Sequence, residues 1–456
     1  MTMDRARVLD AVSARLRGRR LVWAGLRADD AGGLEDLPGL SCSFSLIGAT
    51  GVKRDPLSLA LDEMSGCRVD PEIWDVDAHP RDPVVQRFRA GLLGALASPS
   101  VLVPYRSTDF LSSIHLARRE TSQMLGLFGG QQSLFEYKPW VEVAIAEAGV
   151  PHVPWRYVAE EDRGRLRELS DGDYLVRRSR TSGGEGFARI SSMSELVDEW
   201  PDSSDRLVGI APFIESVPVN VGATVWPDGV TVHNPSVQLI GIPSFVSREF
   251  GHCGNDFAAM QRFPGAVIEA IERSTVVVGD WLRSHGYLGS FGVDFLVTED
   301  DVLFAEVNPR FQGSTRTSSR IDADLDLPCL LLEHVAAWLG MSRIAGPNLR
   351  ERVAAAGAVS SVVVHWTGAE PRHLDAMDLV RRLGRDRPDL LADVVTSPHV
   401  INNPGSTVVR LTVPGSLTQS GFDVDAGLVG AIDDWRLGQL TQLDPRMASG
   451  AIPTET

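Results

Sequence analysis

Residues 289–315 contain the pattern that most restricts how this chain can fold. Two strand-like runs, 289–297 and 302–310, are separated by the acidic segment 298–301. Side chains alternate between the two faces of a strand, so the second run is predicted to have one apolar and one polar face. The apolar face comprises Leu303, Ala305 and Val307, and the polar face comprises Glu306, Asn308 and Arg310.

The polar face of this strand indicates a binding site, because charged groups rarely lie beside apolar neighbours unless they bind something. Oxygen ligands such as those of Glu306 and Asn308 suit Mg²⁺, with phosphate oxygens completing the coordination shell. The alternative is a solvent-facing hairpin whose charges bind nothing. The strand pattern alone favours neither interpretation.

Asp294 lies on the first strand, and the turn decides whether it joins this set. A four-residue turn at 298–301 would place Asp294 opposite Ala305, on the wrong face. A five-residue or bulged turn would place Asp294 level with Glu306. We predict the second arrangement on functional grounds.

Length and composition restrict the class of protein. A chain of 456 residues is too long for a single core, so two or three domains are expected. A net charge of −16 argues against a nucleic-acid partner, which would require a basic face. The four cysteines are far apart and contain no Cys-x-x-Cys pair, which argues against zinc and for a reducing compartment. The sequence has no signal-peptide pattern and no apolar run of membrane-spanning length, so we expect a cytoplasmic protein without a membrane partner.

The first 130 residues are predicted to form a small α/β domain with a parallel sheet. Buried strands are predicted at 21–25, 43–47 and 101–104, and helices at 5–17 and 112–127, the latter ended by Gly129 and Gly130. The segment 48–53 lacks the Gly-Lys-Ser/Thr ending of a P-loop and is predicted to be an ordinary loop. Tyr105 follows a strand, where ligands often bind.

A glycine-rich loop at 179–186 is the second informative feature. It connects predicted strands at 174–178 and 187–190, and Arg177, Arg178 and Arg180 surround it. Glycines allow the backbone to approach an anion closely, and the arginines supply positive charge. On its own such a loop is more often a simple turn, and Glu185 within it does not favour phosphate binding.

The rest of the chain follows a helix–strand order. Helices are predicted at 136–149, which carries Lys138, and at 160–169, 266–285 and 327–339. Strands are predicted at 207–215, 219–226 and 230–239. After a linker at 346–348, a small α/β or β-rich appendage is predicted, with strands at 358–366 and 407–413 and a helix at 374–383.

The order of these features resembles the ATP-grasp superfamily. The run Glu-Val-Asn-Pro-Arg-Phe-Gln at 306–312 matches its Glu-x-Asn-x-Arg-x-Gln signature, and 176–186 matches its strand and glycine loop. The resemblance implies an α/β (α+β) fold with three parts. These are a preATP-grasp domain at 1–130, an ATP-grasp domain at 131–345 with a lid at about 150–212, and a small C-terminal α/β domain at 350–456.

The resemblance also implies roles for individual residues. ATP is the expected cosubstrate and Mg²⁺ the expected metal. ATP phosphates would be contacted by Lys138 and Arg177 and covered by Ser182, Gly183 and Gly184. Adenine would meet Ala211, Phe213 and Ile214, with Glu215 or Asn220 near the ribose. Asp294, Glu306 and Asn308 would hold Mg²⁺. Arg310 would stabilise the acyl phosphate and the tetrahedral species that follows. Lys138 and Arg177 would be the other two catalytic residues.

One departure from the superfamily pattern concerns position 177, where lysine is usual. Arginine keeps its charge and offers a planar fork, so phosphate binding is expected to survive. Whether Arg177 or Arg178 takes the lysine position is left open. Candidate contacts for the other substrates are Gln312, Arg316, Arg310 itself, and His252 with Asn255 in a predicted polar loop.

The implied activity is an ADP-forming ligase that joins a small-molecule carboxylate to an amine or peptide, with a homodimer as one expected assembly. Within the superfamily the layout is most similar to peptide ligases of the pheganomycin type, which implies an amino- or guanidino-acid donor and a role in antibiotic biosynthesis. The alternatives are a biotin-carboxylase-like enzyme and an inactive nucleotide-binding regulator. Gly313, Ser314 and Thr315 stand where carboxylases have an acidic residue, which argues against the first alternative.

Overall fold

The computed structural model describes residues 4–49, 57–68, 76–168, 172–180, 183–198, 200–201, 203–397 and 399–441. In chain order, the α-helices in these ranges are α1 (Arg5–Leu16), α2 (Leu61–Ser65), α3 (Pro83–Ala95), α4 (Asp109–Ala117), α5 (Gly129–Phe135), α6 (Lys138–Glu147), α7 (Met193–Asp198), α8 (Gly265–Ser284), α9 (Thr315–Asp324), α10 (Leu330–Trp338), α11 (Leu349–Ala355), α12 (Ala376–Asp386) and α13 (Ala426–Thr441).

The strands in the same ranges form three sheets. They are β1 (Arg20–Arg27), β2 (Leu40–Ile47), β3 (Leu59–Ala60), β4 (Ser100–Pro104), β5 (Ser122–Met124), β6 (Arg156–Ala159), β7 (Tyr174–Arg178), β8 (Phe187–Ile190), β9 (Leu207–Pro212), β10 (Val217–Trp226), β11 (Gly229–Ile240), β12 (His252–Asp256), β13 (Gly289–Val297), β14 (Val302–Asn308), β15 (Val359–His365), β16 (Leu391–Val394) and β17 (Thr407–Pro414). Short 3-10 helices cover Ala28–Leu34, Val76–Ala78, Glu160–Glu168 and Ala258–Arg262.

The first sheet is parallel, as predicted, and its order is β3-β2-β1-β4-β5. Apolar residues of α1, α10 and the segment Ala28–Leu34 pack on one face, and those of α2, α3 and α4 pack on the other. From β1, the chain adds β2 and β3 on one side of the sheet and then β4 and β5 on the other, so the order of strand addition reverses between β1 and β4. In open parallel sheets, ligands bind outside the carboxyl ends of the strands at such a switch point.

The helix predicted at 112–127 is wrong. Helix α4 ends at Ala117, and Ser122–Met124 forms β5 on the edge of the first sheet, paired with β4. Gly129 begins helix α5 instead of ending a helix. Pairing with a distant strand decides the conformation here, and that contact is not visible in local helical spacing. Part of the predicted loop 48–53 lies outside the described residues.

The central sheet is antiparallel and has the order β14-β13-β10-β11-β12-β15-β17-β16. Strand β15 pairs with β12, so the chain beyond residue 350 extends the central sheet and does not form a separate one. Leu239 and Cys253 share one apolar core with Trp366 and Trp435 from the C-terminal part. The predicted linker at 346–348 ends in Asn348, which caps α11.

The glycine-rich loop belongs to a third, four-stranded sheet with the order β6-β9-β7-β8. Its own small core includes Val176, Val208 and Ile210. The helix predicted at 160–169 is a 3-10 helix over Glu160–Glu168. Gly164 lies in the middle of this charged run, and glycine disfavours a regular α-helix. Within the described residues, no helix combines the length and the apolar character needed to cross a membrane.

Candidate functional site

The hairpin of β13 and β14 aligns Asp294 with Glu306, as predicted, but the irregularity lies in a different place. Val297 pairs with Val302, so residues 298–301 form a plain four-residue loop. Phe295 pairs with Phe304 and Asp294 pairs with Glu306, which leaves Ala305 without a partner. This β-bulge within β14 restores the alignment that a regular four-residue hairpin would have lost.

The bulge also corrects the predicted faces of β14. Val302, Phe304 and Val307 belong to the apolar core beneath the sheet, whereas Leu303 and Ala305 do not. The alternation therefore shifts by one residue at the bulge, and Leu303, Ala305 and Val307 do not share a face. Beyond the bulge, Glu306 and Asn308 line a cavity above the sheet.

Asp294 lies at the centre of a hydrogen-bonded cluster. Its carboxylate accepts hydrogen bonds from Asn220 Nδ2 at 2.6 Å, Gln238 Nε2 at 2.7 Å and Asn308 Nδ2 at 3.1 Å. Asn308 Nδ2 also donates to Glu306 Oε1 at 3.2 Å. These amides orient the carboxylates from neighbouring strands of the central sheet, and in the described part of the chain Asp294 forms no ion pair.

Asn220 is held within this cluster. Besides Asp294, its Nδ2 donates to Gln312 Oε1 at 3.0 Å, and its Oδ1 accepts from Ser314 Oγ at 2.7 Å. Asn220 therefore lies beside the carboxylates, and Glu215 lies elsewhere in the wall of the same cavity. Gln312 joins the same network from the segment that follows β14.

Two basic residues cover the other side of Glu306. Lys138, the first residue of α6, forms an ion pair with Glu306. Arg177 on β7 approaches Glu306 at 4.0 Å, forms an ion pair with Glu142 and donates to Tyr157 Oη at 2.8 Å. Arg177 lines the cavity, whereas Arg178 does not, which favours Arg177 for the position where the superfamily has lysine.

The two paired carboxylates titrate in opposite directions. Burial raises the pKa of Asp294, and the neighbouring charge of Glu306 raises it further. Burial alone would also raise the pKa of Glu306, but Lys138, Arg177 and the hydrogen bond from Asn308 together outweigh this effect and hold that pKa below its usual range. The site therefore contains one carboxylate, that of Glu306, whose ionised form is stabilised by nearby cations, and one, that of Asp294, whose ionised form is disfavoured by burial and by Glu306.

The cavity has a volume of about 660 Å³ and lies between the central sheet and the glycine-loop sheet. Gly183 and Gly184 line it on one side, and Phe213, Ile214 and Glu215 line it on another. A Cβ atom on Gly184 would lie 1.9 Å from the carbonyl oxygen of Phe250, so only glycine permits this close approach. The loop is thus packed against the segment before β12. Ser182 lies outside the described residues.

Ala211 is the predicted adenine contact that does not reach the cavity wall. It pairs with Leu175 inside the glycine-loop sheet and is buried there. Phe213 and Ile214, which follow β9, take that wall instead.

The structure separates the predicted substrate contacts into two groups. Arg310, Gln312, His252 and Asn255 line the cavity. His252 and Asn255 lie on strand β12, not in the predicted loop, and their side chains are 3.0 Å apart. Arg316 is not among the lining residues, because it forms ion pairs with Asp29 at 3.5 Å and Asp393 at 2.5 Å.

The donor set around Asp294 fits Mg²⁺. No group of three or more acidic, histidine or cysteine side chains suited to a metal occurs in the described ranges. Mg²⁺ does not need one, since it is commonly held by one or two protein carboxylates together with substrate phosphates and water. Asp294 and Glu306 supply two carboxylates, and Asn308 an amide. The raised pKa of Asp294 agrees with a site that lacks positive charge.

Sequence reasoning missed several residues of the site. Glu142 lies four residues after Lys138 on α6, a spacing that places both on one helix face and that was visible in the sequence. Trp155 stacks its ring 3.7 Å from the Arg177 guanidinium, and Gln238 binds Asp294. Neither of these two shows a local signal, because strand pairing and sheet packing bring them to the site.

Comparison with known proteins agrees with this geometry. Residues 152–314 match the family model described as an ATP-grasp domain. The formate-dependent phosphoribosylglycinamide formyltransferase of Pectobacterium carotovorum is 26% identical over 206 residues, which are 44% of this chain and 49% of that protein. The acetyl-CoA carboxylase of Dictyostelium discoideum is 24% identical over 177 residues, 39% of this chain and 7% of that protein. The chain therefore spans about half or less of these curated relatives.

Solved structures match a larger share of this chain than the two curated relatives do. N5-carboxyaminoimidazole synthase from Aspergillus clavatus, in complex with ADP and 5-aminoimidazole ribonucleotide, superposes with a TM-score of 0.59 at 12% identity, covering 91% of this chain and 99% of that one. The biotin carboxylase domain of Hydrogenobacter thermophilus 2-oxoglutarate carboxylase, with MgADP and bicarbonate, gives 0.58 at 13% identity, covering 87% and 86%. Residues 152–314 of this chain are therefore similar to an ATP-grasp domain, and most of the chain shares the fold of these two enzymes.

Proposed function

We propose that this protein is an ATP-dependent carboxylate–amine ligase that releases ADP and phosphate. The observation that carries the proposal is that Asp294, Glu306, Asn308 and Arg177 line one cavity, and that Lys138 forms an ion pair with Glu306. Carboxylates for Mg²⁺ and cations for phosphate are the parts that phosphoryl transfer requires.

The nucleotide is assigned to the part of the cavity beneath the glycine loop. Phe213 and Ile214 would contact the adenine and Glu215 the ribose, while Gly183 and Gly184 cover the phosphates. Lys138 and Arg177 now neutralise Glu306 and Glu142. Their charges would orient the transferred phosphoryl group when the nucleotide enters.

The proposed chemistry begins with a carboxylate, which resists attack because its charge repels nucleophiles and because hydroxide is a poor leaving group. Transfer of the γ-phosphoryl group of ATP to a carboxylate oxygen produces an acyl phosphate and ADP. The amine then attacks the acyl carbon, phosphate leaves with the former carboxylate oxygen, and the amine loses a proton. Mg²⁺ bound at Asp294, Glu306 and Asn308 would disperse the charge of the phosphates.

Arg310 is assigned to the reacting carboxyl group. It lines the cavity directly after Asn308 and Pro309, so its guanidinium can face the oxyanion that forms when the amine attacks. Gly184 lies against Phe250, and both residues line the cavity on the lid side. Exclusion of water there would protect the acyl phosphate from hydrolysis.

The finer assignment is a peptide ligase of the pheganomycin type, with an amino- or guanidino-acid donor and an amino-acid or peptide acceptor in secondary metabolism. The Arg-Arg-Ser-Arg-Thr-Ser-Gly-Gly-Glu-Gly run at 177–186 and the part of the chain beyond residue 350 support it. A second candidate is a biotin-carboxylase-like reaction, which the fold similarity to a biotin carboxylase domain favours. Gly313 and Ser314, which occupy the cavity wall after the signature, argue against it.

The decisive experiment is a hydroxylamine trap. Purified protein is incubated with ATP, Mg²⁺, hydroxylamine and single acids, including formate, bicarbonate, amino acids and guanidino acids. A ligase yields a hydroxamate with the acid that it activates, and chelation of Mg²⁺ abolishes the product. ATP consumption without a hydroxamate from any acid would contradict the proposal, and ATP consumption dependent on bicarbonate alone would favour the second candidate.

A further inference from the structure

A charged side chain that none of the proposed steps uses lies in the wall of the same cavity. Arg27 is the last residue of β1, and together with Leu26 it lines the cavity that also contains Asp294 and Arg310. Tyr105, directly after β4, lines it from the neighbouring strand. The two residues therefore flank the switch point between β1 and β4, where parallel sheets bind ligands.

The guanidinium of Arg27 is incompletely satisfied. Its Nη2 donates to Thr407 Oγ1 at 3.3 Å, while its Nε is buried without a hydrogen-bond partner. A buried donor without a partner is unfavourable, more so if it is charged, so a ligand that accepts its hydrogen bond is bound more tightly.

The nearby carboxylates do not neutralise Arg27. Asp29 and Asp30 accept from Arg410 Nη1 at 2.9 and 2.8 Å, and Asp29 also lies 3.5 Å from Arg316 Nε. Within the described ranges, Arg27 forms no ion pair. The first sheet thus presents to the cavity a positive charge that no carboxylate of the described residues contacts, since Asp29, which attracts it at longer range, is bound by Arg410.

Four arginines line the cavity. Arg177 and Arg189 form ion pairs with Glu142 and Asp173, whereas Arg27 forms none within the described ranges. Arg310 follows β14 and adjoins the carboxylate cluster, whereas Arg27 comes from the first sheet and is hydrogen-bonded to β17. The reacting carboxyl group belongs beside Arg310 and the phosphate. Arg27 lies on a different element and forms no ion pair in the described ranges, so it suits a second anionic group, one that does not react.

We propose that Arg27 binds a free carboxylate of the amine substrate. This proposal rests on the ligase function proposed above. The planar fork of arginine binds a carboxylate through two parallel hydrogen bonds, so the cavity selects amines that carry a carboxylate, such as amino acids or peptides with a free C-terminus.

The test compares amines with their carboxamides. With the acid identified by the hydroxamate trap, kcat/KM is measured by phosphate release for amino acids and dipeptides and for the matching amides. The wild-type protein should prefer the free carboxylate. In Arg27→Gln this preference should fall about 10- to 100-fold, the range expected for loss of a charge-assisted hydrogen bond, with partial recovery in Arg27→Lys.

Arg20→Gln is the matched control. Arg20 begins the same strand and is exposed at its opposite end, so the same substitution there should leave the preference for the free carboxylate unchanged. An unchanged preference in Arg27→Gln, or no preference in the wild-type protein, would overturn the proposal. So would a change in Arg20→Gln equal to that in Arg27→Gln.

The same variants separate this proposal from the ligase function. Hydroxylamine carries no carboxylate, so hydroxamate formation by Arg27→Gln should fall less than coupling to an amino acid or peptide. An equal fall in both would mean that Arg27 holds the reacting acid, which contradicts the proposal while leaving a ligase. Failure of the wild-type protein to form any hydroxamate would instead contradict the ligase function itself.

Discussion

Two aspartates of the central region have opposite environments. Asp322 on α9 accepts from Arg352 Nη1 at 2.7 Å and from Asn234 Nδ2 at 2.9 Å, and it faces His233 Nδ1 at 3.0 Å. Asp294 on β13 accepts hydrogen bonds from three amides and forms no ion pair within the described residues. Burial favours protonation of both carboxyl groups, but only Asp322 has a cation in contact.

Their pKa values differ accordingly. Burial alone would raise the pKa of Asp322, but Arg352 and His233 lower it below its usual range. Burial and Glu306 raise the pKa of Asp294. The cluster around Asp322 is closed and lies away from the cavity, whereas the cluster around Asp294 opens into it. A buried charged side chain that has a counterion within the protein indicates a structural role. A buried charged side chain without a counterion indicates a role in ligand binding.

The largest effect should come from breaking the closed cluster. Asp322→Asn leaves Arg352 buried without its carboxylate, which is expected to lower the free energy of unfolding by about 3–5 kcal/mol. Asp294→Asn removes a charge that has no cation beside it, so the free energy of unfolding should stay unchanged or increase. Urea denaturation of both variants measures the difference. Equal losses in the two variants would contradict the distinction between the clusters.

A second comparison uses the glutamates of the two clusters. Glu306→Gln removes a proposed metal ligand and should lower kcat/KM about 100-fold or more, since even residues that only orient metal ligands commonly account for 10- to 100-fold. Glu333→Gln makes the same chemical change in the closed cluster. It should lower the free energy of unfolding, while kcat/KM of the folded enzyme stays near that of the wild-type protein. Phosphate release below the melting temperature of each variant provides the measurement. Full activity in Glu306→Gln would remove the proposed metal site.

The smallest effect is a pH dependence of the closed cluster. Both ring nitrogens of His233 face carboxylates, Asp322 at 3.0 Å and Glu333 at 3.1 Å. Burial alone would lower the pKa of His233, but Glu333 and Asp322 raise it above its usual value of about 6.5. The stabilisation is therefore complete below about pH 6.5 and is lost as pH rises through the folded-state pKa, by at most about 1.4 kcal/mol per pH unit.

This pH dependence is measured by urea denaturation between pH 6 and 9. The wild-type protein should lose stability with rising pH faster than His233→Gln, which has no titrating ring. Parallel curves for the two proteins would show that His233 does not gain a proton on folding.

The sequence predicted the parts of the site that local patterns encode. The Glu-x-Asn-x-Arg-x-Gln run and the glycine loop are contiguous, so their resemblance to the ATP-grasp pattern was enough to predict that Glu306, Asn308 and Gly184 belong to one site, and all three line one cavity. The parallel first sheet followed from its buried apolar strands. In these cases the physical constraint acts over a few neighbouring residues.

The parts that the sequence did not predict depend on contacts between distant segments. Ser122–Met124 forms a strand because β4 lies beside it, and His252 lies on a strand because β11 and β15 flank it. Arg27 and Gln238 reach the cavity only when separate sheets assemble. The extra residue at Ala305 has no local signal, since its neighbours continue an ordinary alternation.

The bulge at Ala305 has a consequence for aligning this chain with distant relatives. Between the hairpin tip and the carboxylates, β14 contains one residue more than β13. Beyond this extra residue, the alternation of apolar side chains no longer predicts which face of the sheet a residue of β14 occupies. An alignment guided by hydrophobic pattern alone would match Ala305, instead of Glu306, to the column of the proposed metal ligand. A single-residue gap opposite Ala305 restores Glu306 to that column. Relatives judged to lack the carboxylate therefore merit realignment at this residue before they are set aside as non-enzymes.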